Sequence, residues 1–191
     1  MNPTDAPSRF DALVWPHAAT VLRTARFLCH DEAEADDVAQ ETLVKAFRSL
    51  DTFRPGTDVK AWLMTILRNT RIDRLRARAS RKGEVSLDAM PFEPASDEDG
   101  PAGGDGHPAW DDPHALLQQF SDRHVIQALQ RLPEEIRWTL LLVDVEGMGH
   151  ADAATILGVP AGTVKSRAHR GRAMLRAALL PLARELRLIT E

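Results

Sequence analysis

Apolar residues recur at three- and four-residue offsets along most of the chain, and no run of alternating β-branched residues between hairpin turns is present. In "FDALVWPHAATVLRTARFLC", Leu13, Val14, Val21, Leu22, Ala25 and Leu28 keep helical spacing, and Pro16 is expected to kink or restart the helix. The next stretch, "DEAEADDVAQETLVKAFRSL", sets Ala35, Val38, Ala39, Thr42, Leu43, Ala46 and Leu50 on one broad face. Asp37, Gln40, Glu41, Val44 and Arg48 fall opposite. The early acids Asp31, Glu32 and Glu34 suit the positive end of that helix. "DTFRPGTD" then interrupts the pattern with Pro55-Gly56, and a third helix follows with Val59, Trp62, Leu63, Ile66 and Leu67 on its buried stripe. Trp62 therefore reads as core. Ile72 and Leu75 drift off the stripe, so the helix either bends near Asn69 or meets a second neighbour.

A second helical block begins near Pro113 with "HALLQQFSDRHVIQALQRL" and breaks at Leu132-Pro133, because the residue before a proline is pushed out of the α region. "EEIRWTLLLVDVEGM" makes the next helix, ending at Gly147 or Gly149. Two helices, "ADAATIL" and "AGTVKSRAHRGRAMLRAALL", then flank Gly158-Val159-Pro160, the spacing of a helix-turn-helix. With Val164 at the centre of the buried face of the last helix, Ala168, Gly171 and Leu175 lie within about 40° of it. Lys165, Ser166, His169 and Arg170 then point outward, Arg167 sits at the flank, and Arg172 and Arg176 continue the positive surface.

Between the blocks, "PFEPASDEDGPAGGDGHPAWDDP" has neither a helical nor a strand period and reads as a flexible linker. The expected fold is all-α, with two small helical domains at 8–82 and 113–187 joined by an acidic linker at 83–112.

Charge sharpens this division. The chain of 191 residues carries a formal net charge of −4, yet the sign alternates along it. Counting Lys, Arg, Asp and Glu, the residues between Arg54 and Lys82 are almost all basic, those from Gly83 to Asp122 are all acidic, and from Ala161 to Arg176 no acid occurs. Nucleic-acid binding follows such local fields rather than the sum. A basic helix alone is as often a solvated face as a ligand surface. Here the tight turn and the small Gly162 and Ala168 favour DNA.

The single cysteine, Cys29, excludes a disulfide framework within the chain and any thiolate zinc cluster. With His30 it reads as a buried thiol beside a helix-ending histidine. No signal-peptide pattern opens the sequence and no apolar run suffices to span a bilayer, so a cytoplasmic protein without membrane insertion is expected. No metal or phosphate-loop motif and no nucleophile–base pair is present, and Asp36 and Asp37 project about 100° apart. No enzymatic activity, catalytic residue, metal or cofactor is expected.

With those segments in view, the chain closely resembles the sigma-70 superfamily, and within it the extracytoplasmic-function (ECF) sigma factors of bacterial RNA polymerase. "DEAEADDVAQETLVKAF" looks like region 2.2, "FRPGTDVKAWLMTILRNTRIDRLRARAS" like regions 2.3 and 2.4, and the stretch from "LQRLPEEIRW" to "GRAMLR" like region 4. The resemblance implies a sigma2-like helical bundle and a sigma4-like helix-turn-helix domain. It implies docking of Asp37, Gln40, Glu41 and Val44 on the polymerase core, and promoter -10 contacts from Phe53, Arg54, Lys60, Arg68, Arg71, Arg74 and Arg78. For the -35 element it implies Thr163, Lys165, Ser166, Arg167, His169, Arg170 and Arg172. The linker would thread the polymerase, and an anti-sigma factor is an implied partner. Asp73 is expected to pair with an arginine of its own helix.

Gly149, His150 and Ala153 stand where relatives carry a serine, an aromatic and a larger aliphatic residue, which predicts a weakly capped helix. His169 departs from the usual residue type, so no relative's -35 preference transfers. Two other readings stay open: a decoy that binds an anti-sigma factor through protein contacts alone, and a stand-alone helix-turn-helix regulator.

Overall fold

A computed structural model describes residues 6–54, 56–81 and 122–185. These residues are helical, with no strand among them. The expected acidic linker and the start of the second block lie outside the described residues. The chain divides into two compact units, with the division between Phe92 and Glu93.

The first unit holds α1 (Ala6–Leu13), α2 (Ala18–Leu28), α3 (Glu32–Arg48) and α4 (Val59–Arg81). Pro16 lies in a 3-10 turn, Trp15–His17, which separates α1 from α2. Proline is tolerated there because the first turn has no intrahelical partner for its missing N–H. Val21, Ala25 and Leu28 of α2, Val38, Ala39, Thr42 and Ala46 of α3, and Leu63, Met64 and Leu67 of α4 form the core. Asp31 caps α3 by accepting from the Glu34 N–H at 3.2 Å, and Asp58 accepts from the Lys60 N–H at 2.9 Å at the start of α4. On the edge, the rings of Phe10 and Phe47 meet edge to face at 5.3 Å.

The second unit holds α5 (Asp122–Gln130), α6 (Glu134–Leu140), α7 (His150–Leu157) and α8 (Ala161–Glu185). Leu129, Ile136, Leu140, Leu141, Leu142, Ala153, Val164, Ala168 and Leu179 are its buried centre. After Leu140 the helix widens into a π turn, Leu141–Val145, closed by the Glu146 N–H donating to the Leu141 carbonyl at 2.8 Å. Gly147, at φ +68°, ends it, which is the left-handed conformation that glycine adopts at least cost. Helix α8 runs to Glu185, carrying Pro181 on its exposed side.

Candidate nucleic-acid and polymerase interfaces

Gly158 makes the helix-turn-helix turn possible. It ends α7 in the left-handed region, at φ 67° and ψ 35°, and its N–H donates to the Ala154 carbonyl at 2.8 Å. Two residues later Pro160 offers its carbonyl to the Val164 N–H at 3.2 Å, and α8 is under way. Val164, Ala168, Gly171 and Leu175 are all buried, as the spacing predicts. Gly171 is there for proximity: a Cβ on it would lie 2.7 Å from Ile136 Cγ2 and 3.0 Å from Leu140 Cγ, so α6 and α8 touch backbone to side chain. That packing turns Lys165, Ser166, His169 and Arg170 to solvent, with Thr163, Arg167 and Arg172 half-buried. Among the described residues, neither Lys165 nor Arg170 has an ion-pair partner.

Arg172 differs from its neighbours. Its guanidinium grips the Asp144 carboxylate with two nitrogens, Nη2 to Oδ1 at 2.7 Å and Nε to Oδ2 at 3.1 Å. The Asp144 side chain is 9 % exposed and that of Arg172 is 41 % exposed. As expected, α7 begins without a side-chain cap, at Gly149.

The basic residues of α4 divide in another way. Arg71 does not reach solvent: it is buried, and its Nη1 holds the Glu34 carboxylate at 3.0 Å. The expectation that Arg71 contacts DNA is therefore corrected. It sits four residues after Leu67 and seven after Met64, on the stripe that faces α3, and Glu34 meets it from the inward face of α3. Arg78 reaches the same carboxylate at 2.7 Å with a side chain that remains half exposed. Arg74 donates to Glu41 at 2.8 Å and to Asp37 at 3.3 Å, so two residues expected on the polymerase surface hold one expected on the DNA surface. The hydrogen bond from Arg74 holds the Glu41 carboxyl below its ordinary value, against the opposing pull of burial. Arg74 is raised in turn, chiefly by that bond.

Asp73 also departs from expectation. It pairs across helices with Lys45 of α3, at 3.1 Å, rather than with an arginine of α4. Burial pulls the Lys45 ammonium down, but its bonds to Asp73 and Glu41 outweigh this and leave it raised. Arg68 is half-buried and burial pushes it down. Of the other expected -10 residues, Arg54 is exposed, Lys60 is half-buried, and the half-buried Phe53 meets Trp62 with ring centres 5.1 Å apart and ring planes inclined at 53°. Trp62 is thus only half-buried rather than fully core.

On the outer face of α3, Asp37, Gln40 and Val44 are exposed and Glu41 is half-buried. Phe47, three residues beyond Val44, is also exposed at 44 %, and Trp15 at 62 %. Sequence reading passed over Phe47 although its i+3 spacing from Val44 marks the same face. Among the described residues no three His, Cys, Asp or Glu side chains gather as a metal site. No described helix is long and apolar enough to cross a membrane.

This arrangement has counterparts among known proteins. A family model described as Sigma-70 region 2 matches residues 13–81, and one described as Sigma-70, region 4 matches residues 123–175. The RNA polymerase sigma-H factor of Pseudomonas aeruginosa is 36% identical over 182 residues, covering 92% of this chain and 89% of that protein. The ECF RNA polymerase sigma factor SigE of Mycolicibacterium smegmatis is 36% identical over 171 residues, covering 87% of this chain and 60% of that one. Among solved structures, the sigma factor RpoE of Bartonella quintana, in complex with the anti-sigma factor NepR, has a TM-score of 0.67 at 28% identity. That match covers 89% of this chain and 96% of the other.

Proposed function

The chain belongs to the sigma-70 family as a sigma factor of the ECF group, and we propose that its two helical units divide promoter recognition as their surfaces suggest. Residues 8–82 bind core polymerase and the -10 element, 113–187 bind the -35 element, and 83–112 tether the two. The observation that carries this reading is α8. Its buried stripe of Val164, Ala168, Gly171 and Leu175 leaves Lys165, Ser166, His169 and Arg170 exposed at the end of a helix-turn-helix where such motifs meet base edges.

In the first unit, Asp37, Gln40, Glu41 and Val44 dock on the polymerase, a mixed polar and apolar surface of the kind that suits a non-obligate interface. Phe53, Arg54, Lys60, Arg68, Arg74 and Arg78 line the -10 side. An opened strand needs cations for its phosphates and an aromatic platform for an unstacked base, and the Phe53–Trp62 pair supplies the latter. The chain acts where the polymerase acts, in the cytoplasm, and needs no cofactor or catalytic group of its own. Like the Bartonella sigma factor, which was solved in complex with an anti-sigma factor, this chain takes an anti-sigma factor as a controlling partner.

Adding the full chain to bacterial core polymerase with a promoter library tests this reading. The expected result is transcripts that start from a defined promoter class and vanish without the chain. Binding to an anti-sigma factor with no transcript from any template contradicts it in favour of a decoy.

A further inference from the structure

The pairing of Arg172 with Asp144 raises a problem for a DNA-facing helix, because a carboxylate beside a phosphate-binding cation cancels its charge unless the pair does something else. The geometry supplies the alternative. Asp144 meets Arg172 along one edge, Nε and Nη2, and among the described residues Nη1 with the second Nη2 hydrogen remains unspent. Arg172 and His169 both lie within about 40° of Lys165 on the helix surface, so the unspent end emerges on the Lys165 side of α8, about two turns further along.

The rest of the local structure delivers Asp144 to that place. Ile136 and Leu140 pack against the bare Gly171, and Asp144 follows Leu140 by four residues on the same side. Asp144 lies inside the π turn of residues 141–145, a feature frequent at functional sites. Its carboxylate is nearly buried, which fixes the arginine from below.

We infer that Asp144 is a positioning residue, which acts through Arg172 and pre-orients its free guanidinium end for one DNA phosphate beside the -35 bases. This rests on the assignment of α8 to DNA. A guanidinium held in place keeps its planar fork aimed and loses little freedom on binding, whereas a free arginine must be ordered at that moment. The contact fixes register without reading sequence, as phosphate contacts do.

The test is holoenzyme made with the full-length chain, binding promoter duplex across a range of KCl concentrations, on the preferred -35 sequence and on a scrambled one. Arg172→Ala should weaken both duplexes alike, about tenfold, and lower the slope of log affinity against log salt by about 0.9. Asp144→Ala should weaken them in the same direction, although removing an anion near DNA would on Coulomb grounds alone tighten binding. The double variant should bind no worse than Arg172→Ala. Asp144→Asn keeps the volume and one acceptor, and should lose less. Circular dichroism of each variant normalises the affinity to folded protein.

Equal or tighter binding by Asp144→Ala, a loss that adds to that of Arg172→Ala, or an unchanged slope with Arg172→Ala overturns the inference. A Lys165→Ala/Arg170→Ala control separates the two levels. If it weakens -35 binding while the Arg172 and Asp144 variants do not, only the positioning role falls. If it too binds as the natural chain does, the assignment of α8 to DNA falls and this inference with it.

Discussion

Two arginine-rich helices of one chain end up in different electrostatic states. On α4, Arg71, Arg74 and Arg78 are bound to acids of α3 in the same unit, one of them buried. On α8, Lys165 and Arg170 are exposed and unpaired among the described residues, and Arg172 is held from one side. The contrast follows from what lies opposite. Helix α3 brings Glu34, Asp37 and Glu41 to α4, whereas the elements beneath α8 bring Ile136 and Leu140 to Gly171 and Asp144 to Arg172. The same local charge therefore builds an interhelical joint in one unit and an exposed cationic surface in the other, the one proposed to meet DNA. A second consequence is that Arg74, proposed for the DNA side of the first unit, is bonded to Asp37 and Glu41, proposed for its polymerase side.

The comparison can be broken hardest at Arg71. Arg71→Ala removes the buried one of the two arginines that hold Glu34 and should cost about 3 kcal/mol of stability in denaturant unfolding, the low end for a broken buried pair because Arg78 stays on the carboxylate. If Arg71 served DNA instead, the loss would appear in promoter affinity of the folded protein with stability intact. Next comes Gly171→Ala. Its new methyl meets Ile136 and Leu140 inside contact distance and should cost about 1–3 kcal/mol in thermal unfolding, with the damage confined to the second unit.

The joint between α3 and α4 should respond to acid. Glu41 is held below its ordinary carboxylate value, so its contribution is present above the unfolded value and disappears as pH falls through the folded one. Glu41→Gln should therefore be less stable than the natural chain at neutral pH, by under about 1 kcal/mol, with the gap closing on acidification. Equilibrium unfolding at neutral and acid pH measures it. The smallest change is at the start of α7, where Gly149→Ser supplies the missing cap. Gly149 has φ −63° and ψ 150°, which any residue adopts, and the gain should be a few tenths of a kcal/mol in melting experiments.

How far the sequence carries depends on how local each feature is. The restart at Pro16, the glycine turn at Gly158 and the buried stripe of α8 are set within a few residues, and periodicity or turn chemistry suffices to read them. The fate of Arg71 is set by Glu34, 37 residues away, and that of Asp73 by Lys45, 28 residues away. Charge in a run looks alike until its opposite number is known. Arg71 still left a trace, since it falls on the stripe of Met64 and Leu67 and so had to be buried with a partner. The π turn that carries Asp144 left none: its residues, "LLVDV", fit an ordinary helix equally well.

Base preference at the two promoter elements is the most direct measure of the division between these helices. Holoenzyme carrying Lys165→Ala/Arg170→Ala should be run against a promoter library with both elements randomised, and its transcripts sequenced. The prediction is that selectivity collapses at -35, each lost base contact being worth about 1–3 kcal/mol, while preference at -10 stays that of the natural chain. Unchanged -35 selectivity, or an equal loss at both elements, would contradict it.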